Sequence, residues 1–391
     1  MFRGGVGRSE QRYSFSDWAA DAMLFGGHRY PLGYTTTYGN EKAEPIGNGF
    51  VDYVRNALQS NGVIAAVESI RVSVFAEARF QWQALEAGRP GKLFGTADLE
   101  MLERPWMGGT TGDLLARMML DADFAGNSYF ARLDGEMVRL RPDWVEIILA
   151  DRMVPYGVKS EDVHVGMERV GYMYYEGGKG PNKKPAFFLP DEVCHFAPNP
   201  DPLATYRGMS WLTPVIREIQ ADGMATKHKL KFFENAATPN LAVSLPKEIK
   251  SQQFKEFIEL MESKHGGVDN AYKTLYTGGG ADVTVIGANM QQLDFKVTQG
   301  AGETRVAAAG RIHPVLVGLS EGMQGSSLNA GNYGSAKRST ADMFFRPAWR
   351  NAAGSLEVLF KPPKASRLWV DTRDIAFLRE DEKDAAELRW L

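Results

Sequence analysis

Apolar positions recur with helical spacing in the last quarter of the chain. From Ser335 to Phe360, apolar and small residues are spaced by three and four, which is one face of a helix. Pro347 lies within this face and predicts a kink rather than an end, because the periodicity resumes beyond it. The alanine-rich sequence before Pro314 predicts another helix, from Gln292 to about His313. Between the two helices, residues 318–334 contain five glycines and predict a mobile loop.

A longer helical pattern covers Trp211–Ala237. Its apolar and small positions form one continuous seam, spaced by three and four: Leu212, Ile216, Ile219, Gly223, Thr226, Leu230, Phe233 and Ala237. At about 1.5 Å per residue the helix would be roughly 39 Å long. Gly223 and Thr226 are small, so another surface can approach the middle of the seam closely. Pro239 ends the pattern.

The chain between these two helical patterns predicts a compact α/β insert. A strand is expected at Leu241–Leu245, an amphipathic helix at Ser251–Lys264 and a β-like segment at Lys273–Ile286. Because a small insert returns the chain close to where it left, the flanking helices are expected to run antiparallel.

The N-terminal half predicts a mixture of helices and strands. Met1–Phe50 is rich in Gly, Tyr and Ser without sustained periodicity, and is expected to be an arm that lies on another surface or a frayed terminus. Two short helices broken at Asn61–Gly62 should follow, then a Gly- and Pro-rich break and a helix at Gly112–Ala125. A hairpin turning at Asp134–Gly135 and β segments over Val145–Phe196 complete an α+β pattern.

The composition is that of a globular protein with a sizeable core. Of the 391 residues, 44% are hydrophobic and 24% charged, which is enough for two or three domains. The formal net charge of −3 and a pI near 6.1 exclude a strongly basic nucleic-acid-binding protein, so any DNA contact must be local. Neither secretion nor membrane insertion is expected, because the sequence contains no signal-peptide pattern and no apolar run of ~18 residues.

The sequence offers little support for catalysis. Cys194 is expected to be a small buried residue in a reducing compartment, and His195 next to it would face the opposite side of a strand. No Gly-Lys-Ser/Thr, GxGxxG, HExxH or GxSxG motif occurs. We therefore expect no enzymatic activity and no cofactor.

A carboxylate cluster near the end of the sequence is the one candidate metal site. Its members are Asp371, Asp374, Glu380 and Asp381. Arg373 and Arg379 lie among them and favour an ion-paired helix start over metal binding. No metal is therefore expected.

Several segments, in one order, resemble the portal proteins of tailed double-stranded-DNA bacteriophages. These segments are RGMSWLTPVIREIQ from Arg207, KFFENAATPNLAVSLP from Lys231, QLDF from Gln292, RIHPVLVGL from Arg311 and WVDTRDIAFLREDEKDAAE from Trp369. No single segment is decisive, but their order and spacing together fit the family.

The resemblance implies a portal fold with a wing, a two-helix stem, an α/β clip, a tunnel loop and a long kinked helix. The implied divisions are an N-terminal arm (1–50), wing (51–206), first stem helix (207–238), clip (239–291), second stem helix (292–315), tunnel loop (316–334), long kinked helix (335–361), wing strand (362–378) and start of a crown helix (379–391). Portal chains usually continue into a helical crown, so either the sequence lacks a C-terminal part, which we expect, or this portal has almost no crown.

The resemblance also implies an assembly and its partners. The chain would form a ring, usually of twelve copies, at one vertex of a capsid, assembled in the host bacterial cytoplasm. Double-stranded DNA would pass through the ring, and the large terminase subunit, a head-tail adaptor protein and the major capsid or scaffolding protein would bind it. The clip residues expected to meet the motor or the tail are Lys247, Lys250 and Lys255. Gly223 and Thr226 are the candidates for packing between subunits.

The charge pattern fits a channel along which DNA slides. Neutralising about 6 to 10 phosphates with Lys or Arg gives tight binding, which would stall moving DNA, so a conduit should be weakly charged. From residue 298 to residue 337 the chain has three basic and two acidic residues. The channel candidates are Arg305, Arg311, Gln324, Ser326, Ser327, Asn329 and Asn332. Two alternatives remain: a nucleic-acid-processing enzyme, and another ring-forming connector or capsid-associated scaffold.

Overall fold

The structure divides into two compact units. A computed structural model of the chain describes residues 24–25, 28–29, 43–156, 161–180, 184–234, 241–244, 250–265, 282–285, 295–319 and 330–378. The first unit combines Met1–Ile216 with Val306–Leu391, and the second is Arg217–Arg305. The mixture of helices and strands is the α+β fold class predicted from the sequence.

The helices lie mainly on either side of the strand-rich middle of the chain. They are α1 (Phe50–Tyr53), α2 (Gly62–Phe75), α3 (Glu100–Glu103), α4 (Thr111–Ala125), α5 (Ile216–Glu234), α6 (Ser251–His265), α7 (Phe295–Ala309), α8 (Pro314–Val317), α9 (Ala330–Thr340) and α10 (Arg346–Glu357). Two π-helical turns, Val54–Leu58 and Ala341–Phe345, follow α1 and α9.

The strands form small antiparallel sheets. They are β1 (Leu24–Phe25), β2 (His28–Arg29), β3 (Ala43–Glu44), β4 (Arg79–Glu86), β5 (Arg89–Phe94), β6 (Ser128–Leu133), β7 (Glu136–Leu140), β8 (Val145–Tyr156), β9 (Glu161–Tyr174), β10 (Ala186–Phe188), β11 (Val193–Phe196), β12 (Leu241–Ser244), β13 (Asp282–Val285) and β14 (Ser366–Asp371). The strand orders are β1-β2, β10-β9-β8-β3, β11-β6-β7, β12-β13 and β14-β4-β5.

Local capping fixes the ends of the helices that form the core of the first unit. The Asn61 side chain accepts hydrogen bonds from the backbone of Val63 and Ile64, so α2 starts where the sequence predicted a break. Thr110 and Asp113 form a reciprocal capping box at the start of α4. Gly126 ends α4 in the left-handed conformation at φ 78°, and a side chain there would meet the backbone of Gly208.

Two hairpins turn through residues with positive φ. Asp134 and Gly135, at φ 51° and 84°, connect β6 to β7 and confirm the predicted turn. Ala87 and Gly88, at φ 50° and 79°, connect β4 to β5 in the same way. The sequence interpretation treated Ala87–Gly95 as a break and missed this hairpin. Alternation in the preceding strand, where Phe80 and Trp82 are buried, was the signal that could have found it.

The predicted β-rich middle is present, and its long strands carry one hydrophobic cluster. β8 pairs with β9 along most of its length. The buried residues of the cluster are Tyr129, Ala131, Leu140, Val145, Ile147, Leu149, Tyr172, Phe188 and Val193. Residues of β6, β7 and β11 thus pack against the β8-β9 face, which joins two sheets into one core.

The end of the alanine-rich helix differs from the prediction. α7 ends at Ala309 rather than near His313, and Gly310 and Arg311 form a turn in which Arg311 has φ 57°. The left-handed position that ends a helix in this way is usually a glycine, and here it is Arg311, so the sequence carried no local signal for this stop. Pro314 then begins the short helix α8, because proline is compatible with a first helical turn.

The glycine-rich segment is shorter than predicted. α9 begins at Ala330 and includes Gly331, Asn332 and Gly334, whereas the sequence predicted loop through Gly334. A glycine costs a helix only about 1 kcal/mol, and tertiary packing outweighs that cost. Ala336, in the same helix, is buried.

The long C-terminal helix is interrupted one turn before Pro347. The π-helical turn Ala341–Phe345 separates α9 from α10, and Pro347 lies in the first turn of α10. Proline has no N–H to offer to the carbonyl of Met343, so the wider turn accommodates it. The predicted periodicity does resume beyond the proline, with Ala348, Ala352 and Leu359 buried.

Candidate functional site

The exposure of α5 changes along its length. Ile216 and Ile219, near its start, are buried. Further along, Met224 is 70% exposed and Leu230 is 56% exposed within this one chain. Both Gly223 and Thr226, the two candidates for packing between subunits, are also exposed. Apart from its chain neighbours and the backbone of its own helix, no atom of the described residues lies within 4 Å of where a Gly223 Cβ would be. The middle of the predicted seam is therefore uncovered.

The two predicted channel arginines are both accessible. Arg305 is exposed on α7, and Arg311 is exposed in the turn that follows this helix. Between them Val306 and Ala307 are buried, so α7 enters the core of the first unit just before it ends.

The polar channel candidates lie largely outside the described residues. This applies to Gln324, Ser326, Ser327 and Asn329. Asn332 is described, but it belongs to α9 and not to the loop in which the sequence placed it. The helices that flank this segment, α8 and α9, contact each other, and the His313 backbone N–H donates to Thr340 Oγ1 at 3.4 Å.

Two of the three clip candidates lie within the described residues. Lys247 lies outside the described residues, whereas Lys250 directly precedes α6 and Lys255 lies on it, both exposed. The same helix exposes the apolar side chains of Phe254 and Leu260, at 46% and 50%. α6 therefore exposes both lysines and large apolar side chains along its length.

A buried charge cluster lies in the first unit and was not predicted. Arg71 is 1% exposed, and its guanidinium donates to both carboxylate oxygens of Asp123, at 2.7 Å and 2.5 Å. It also donates to the carbonyl oxygen of Gly310, at the end of α7. Its Cζ lies 3.8 Å from the centre of the Phe344 ring and 5.4 Å from that of Trp211. One side chain thus contacts residues from four other parts of the sequence.

Glu68 adds a second carboxyl group to this cluster. It is 2% exposed, and neither of its oxygens has a hydrogen-bond partner of normal geometry among the described residues. Burial raises its pKa well above the ordinary value, the charge of Asp123 raises it further, and Arg71 opposes both effects. The protonated form of Glu68 is therefore favoured, and Arg71 neutralises Asp123.

The Cys194 and His195 pair has no catalytic geometry. Cys194 is fully buried, and burial raises the pKa of its thiol. His195 stacks on the ring of Tyr129 and its Nε2 lies 3.0 Å from Asn127 Oδ1. Burial, with the nearby Arg169 charge, lowers the pKa of His195 to about 3, so the imidazole is neutral.

The carboxylates near the end of the sequence do not form a metal site where they are described. Asp371 accepts hydrogen bonds from the guanidinium of Arg373 at 2.8 Å and 2.5 Å, the ion pairing favoured from the sequence. Glu380 and Asp381 lie outside the described residues. Across the described part of the chain, no group of three or more His, Cys, Asp or Glu side chains is arranged to hold a metal.

The described part of the chain also contains no helix with the length and apolarity needed to cross a membrane.

The chain belongs to the phage portal protein family. The family model for phage portal proteins matches residues 54–389, which covers most of the chain. The portal function predicted from the sequence is thereby confirmed at the level of the family. No curated protein matches the chain significantly.

Solved structures share the fold at low sequence identity. The chain is similar to a protein from the neck of an empty GTA (gene transfer agent) particle computed with C6 symmetry, with 21% identity, 86% of this chain and 87% of that chain covered, and a TM-score of 0.60. A chain from the neck of a native GTA particle computed with C12 symmetry has 19% identity, coverage of 94% and 92%, and a TM-score of 0.60. An HK97 family phage portal protein from Corynebacterium diphtheriae has 11% identity, coverage of 83% and 96%, and a TM-score of 0.48.

Proposed function

We propose that the protein assembles into a closed ring of twelve copies at one capsid vertex, and that double-stranded DNA enters and leaves the capsid through it. The observation that carries the proposal is the uncovered seam of α5, where Gly223 meets open space and Leu230 is exposed. An apolar helix face of this kind needs a partner, and in a closed ring each subunit supplies one to its neighbour. Membership of the portal family and the symmetric necks that contain similar chains support the same conclusion.

Each part of the chain has a role in this proposal. The wing consists of residues 51–206, 330–361 and 362–378, and the stem of residues 207–238 and 292–315. The clip is formed by residues 239–291, the tunnel loop by residues 316–329 and the beginning of a crown by residues 379–391.

Within the ring, the channel is lined by few charges. Arg305 and Arg311 are the basic candidates. The polar side chains between residues 324 and 332 contact DNA phosphates without binding them tightly. Weak charge lets DNA slide, because strong neutralisation of phosphates would hold it in place.

The ring is a passive component in this proposal. It hydrolyses neither ATP nor DNA, so the energy for packaging comes from a separate ATPase, the large terminase subunit, which docks on the clip around Lys250 and Lys255. A head-tail adaptor replaces that ATPase later, and the major capsid or scaffolding protein surrounds the ring. Assembly takes place in the bacterial cytoplasm and the ring remains in the virion.

The ring can be tested by replacing a glycine at the uncovered seam. Leucine fits at Gly223 within one chain and has a better helix propensity, so Gly223→Leu should not destabilise the subunit. In a ring, the added side chain would meet the neighbouring subunit. We expect the unmodified protein to elute as a closed ring in gel filtration with light scattering, and Gly223→Leu to elute mainly as monomers or open fragments.

A matched control is available in the wing. Gly354 is also an exposed helical glycine with no atom within 4 Å of its Cβ position, and Gly354→Leu should leave the ring intact. An unmodified protein that stays monomeric at micromolar concentration at several salt concentrations would contradict the proposal. Rings that tolerate Gly223→Leu as well as Gly354→Leu would exclude α5 as the interface. A monomer that degrades or modifies nucleic acid would favour the enzyme alternative.

A further inference from the structure

The guanidinium of Arg71 is placed between two chain segments that precede and follow residues 320–329. On one side it donates to the carbonyl of Gly310, in the turn between α7 and α8. On the other it lies against the ring of Phe344, in the π-helical turn between α9 and α10. Arg71 belongs to neither segment, because it is part of α2.

The position of Arg71 is itself fixed from a third direction. Asp123 on α4 accepts two parallel hydrogen bonds from the guanidinium, and both side chains are fully buried. The planar fork of arginine has its donors in fixed directions, so anchoring two of them on a carboxylate determines where the third points. In this structure the third donor points to Gly310.

The charges of the cluster balance in one protonation state. Arg71 is paired with Asp123, and burial raises the pKa of Glu68, which favours its neutral form. The groups that face Glu68 are these two side chains and the indole of Trp211. A buried guanidinium is tolerated only when paired, so Arg71 cannot leave Asp123 without a large cost.

The two flanking segments contact each other directly through α8 and α9, and Arg71 adds a second connection between them. A cavity of about 310 Å³ lies beside Arg71, and its lining includes Trp211, Arg311 and Phe344. Beside this cavity, the guanidinium of Arg71 connects the turn at Gly310 to the ring of Phe344.

We propose that Arg71 is a positioning residue that makes the Gly310 turn and the π-helical turn Ala341–Phe345 move as one body. The effect of this coupling on the channel rests on the proposed function. In the ring, Arg71 would fix both ends of the proposed tunnel loop to the wing. The coupling itself is a property of the first unit and can be measured whether or not the ring forms.

Hydrogen exchange in the full chain tests the coupling. The Gly310 and Ile312 amides bond to carbonyls of α7, and the Arg346 amide bonds to the carbonyl of Ala341. Arg71→Lys keeps a positive charge opposite Asp123 but loses the planar guanidinium and its fixed donor directions. We expect all three amides to exchange faster by a similar factor of about ten or more, while amides of the β4-β14 pair are unchanged.

Two further variants make the result specific. Arg139 donates two hydrogen bonds to Asp121, also on α4, and Arg139→Lys should leave the three amides unchanged. Phe344→Leu removes one of the joined contacts without leaving a buried charge, and should also speed exchange at Gly310 and Arg346 together. It therefore answers the question even if Arg71→Lys does not fold.

Three outcomes would overturn the inference. The first is no change at either segment, and the second is a change confined to one of them. The third is faster exchange that includes the β4-β14 amides, because Arg71 would then only stabilise the unit as a whole. Failure of the ring test would contradict the proposed function and leave this result standing.

Discussion

Glu68 is a buried carboxyl group whose proton contributes to stability. Its pKa is raised in the folded chain above the value of 4.5 for a free glutamate. As the pH rises above about 4.5, the unfolded chain loses this proton while the folded chain keeps it. The free energy of unfolding therefore falls with rising pH, from the unfolded pKa up to the folded pKa. Below that window the contribution of the neutral group is complete.

The first prediction follows from this fall in the free energy of unfolding with rising pH. Glu68→Gln removes the titration but keeps a neutral side chain of similar shape, so the variant should lose less stability than the unmodified protein between pH 4.5 and pH 8. Urea unfolding at fixed protein concentration across this range measures the difference. The buried Asp121, with its pKa raised to about 6, contributes a slope of the same sign to both proteins and cancels in the comparison.

An exposed carboxylate provides the control for this experiment. Glu100→Gln, on α3, should leave the pH dependence as it is in the unmodified protein. Equal slopes for Glu68→Gln and the unmodified protein would show that Glu68 ionises normally in the folded chain.

At the residue scale, the sequence predicts what depends on neighbours in the chain. Asp134 and Gly135 were identified as a turn because their backbone preferences are local. Arg71 and Asp123 are 52 residues apart, and nothing in their spacing pairs them. The available signal was charge within otherwise apolar helical sequence, Arg71 on α2 and Asp123 on α4, which indicates buried partners without identifying them.

Helix α4 shows how much of an element is fixed by its first turn. Thr110 and Asp113 satisfy each other's backbone N–H groups, and both are exposed, so their contribution is separate from core packing. Thr110→Ala should lower the free energy of unfolding by about 1 kcal/mol. Thr110→Ser keeps the hydroxyl and should lose much less. Equal losses in urea unfolding for the two variants would show that the capping box does not stabilise α4.

Elements with strong local signals were predicted well. The start of α2 near Asn61, the helix α4 and the strand β12 followed from periodicity and turn residues. The predicted start of α9 was wrong, because the glycines were taken to prevent a helix. The packing around Ala336, which stabilises this helix, could not be seen in the sequence. Propensities of about 1 kcal/mol are smaller than the packing of a buried helix face.

At the scale of the whole molecule, the family could be identified from the sequence, but the arrangement of the channel could not. The order of several weak segments, from Arg207 to Trp369, indicated the portal family that the family model then matched. The lumen of a ring is formed by many copies of the chain, so no pattern within one chain states which side chains face it. For this reason the tunnel-loop candidates remain predictions.

A charge added to the tunnel loop tests its proposed place in the channel. Ser326→Lys would put on the order of ten positive charges within one or two turns of DNA. This is enough to make the ring bind DNA tightly instead of letting it slide. The rings should still form, because α5 is unchanged, while packaging driven by the terminase slows at low salt and recovers partly as salt rises. Ser60→Lys adds the same charge to an exposed residue of the wing and should package normally. If Ser326→Lys rings also package at the unmodified rate at low salt, residue 326 does not face the DNA.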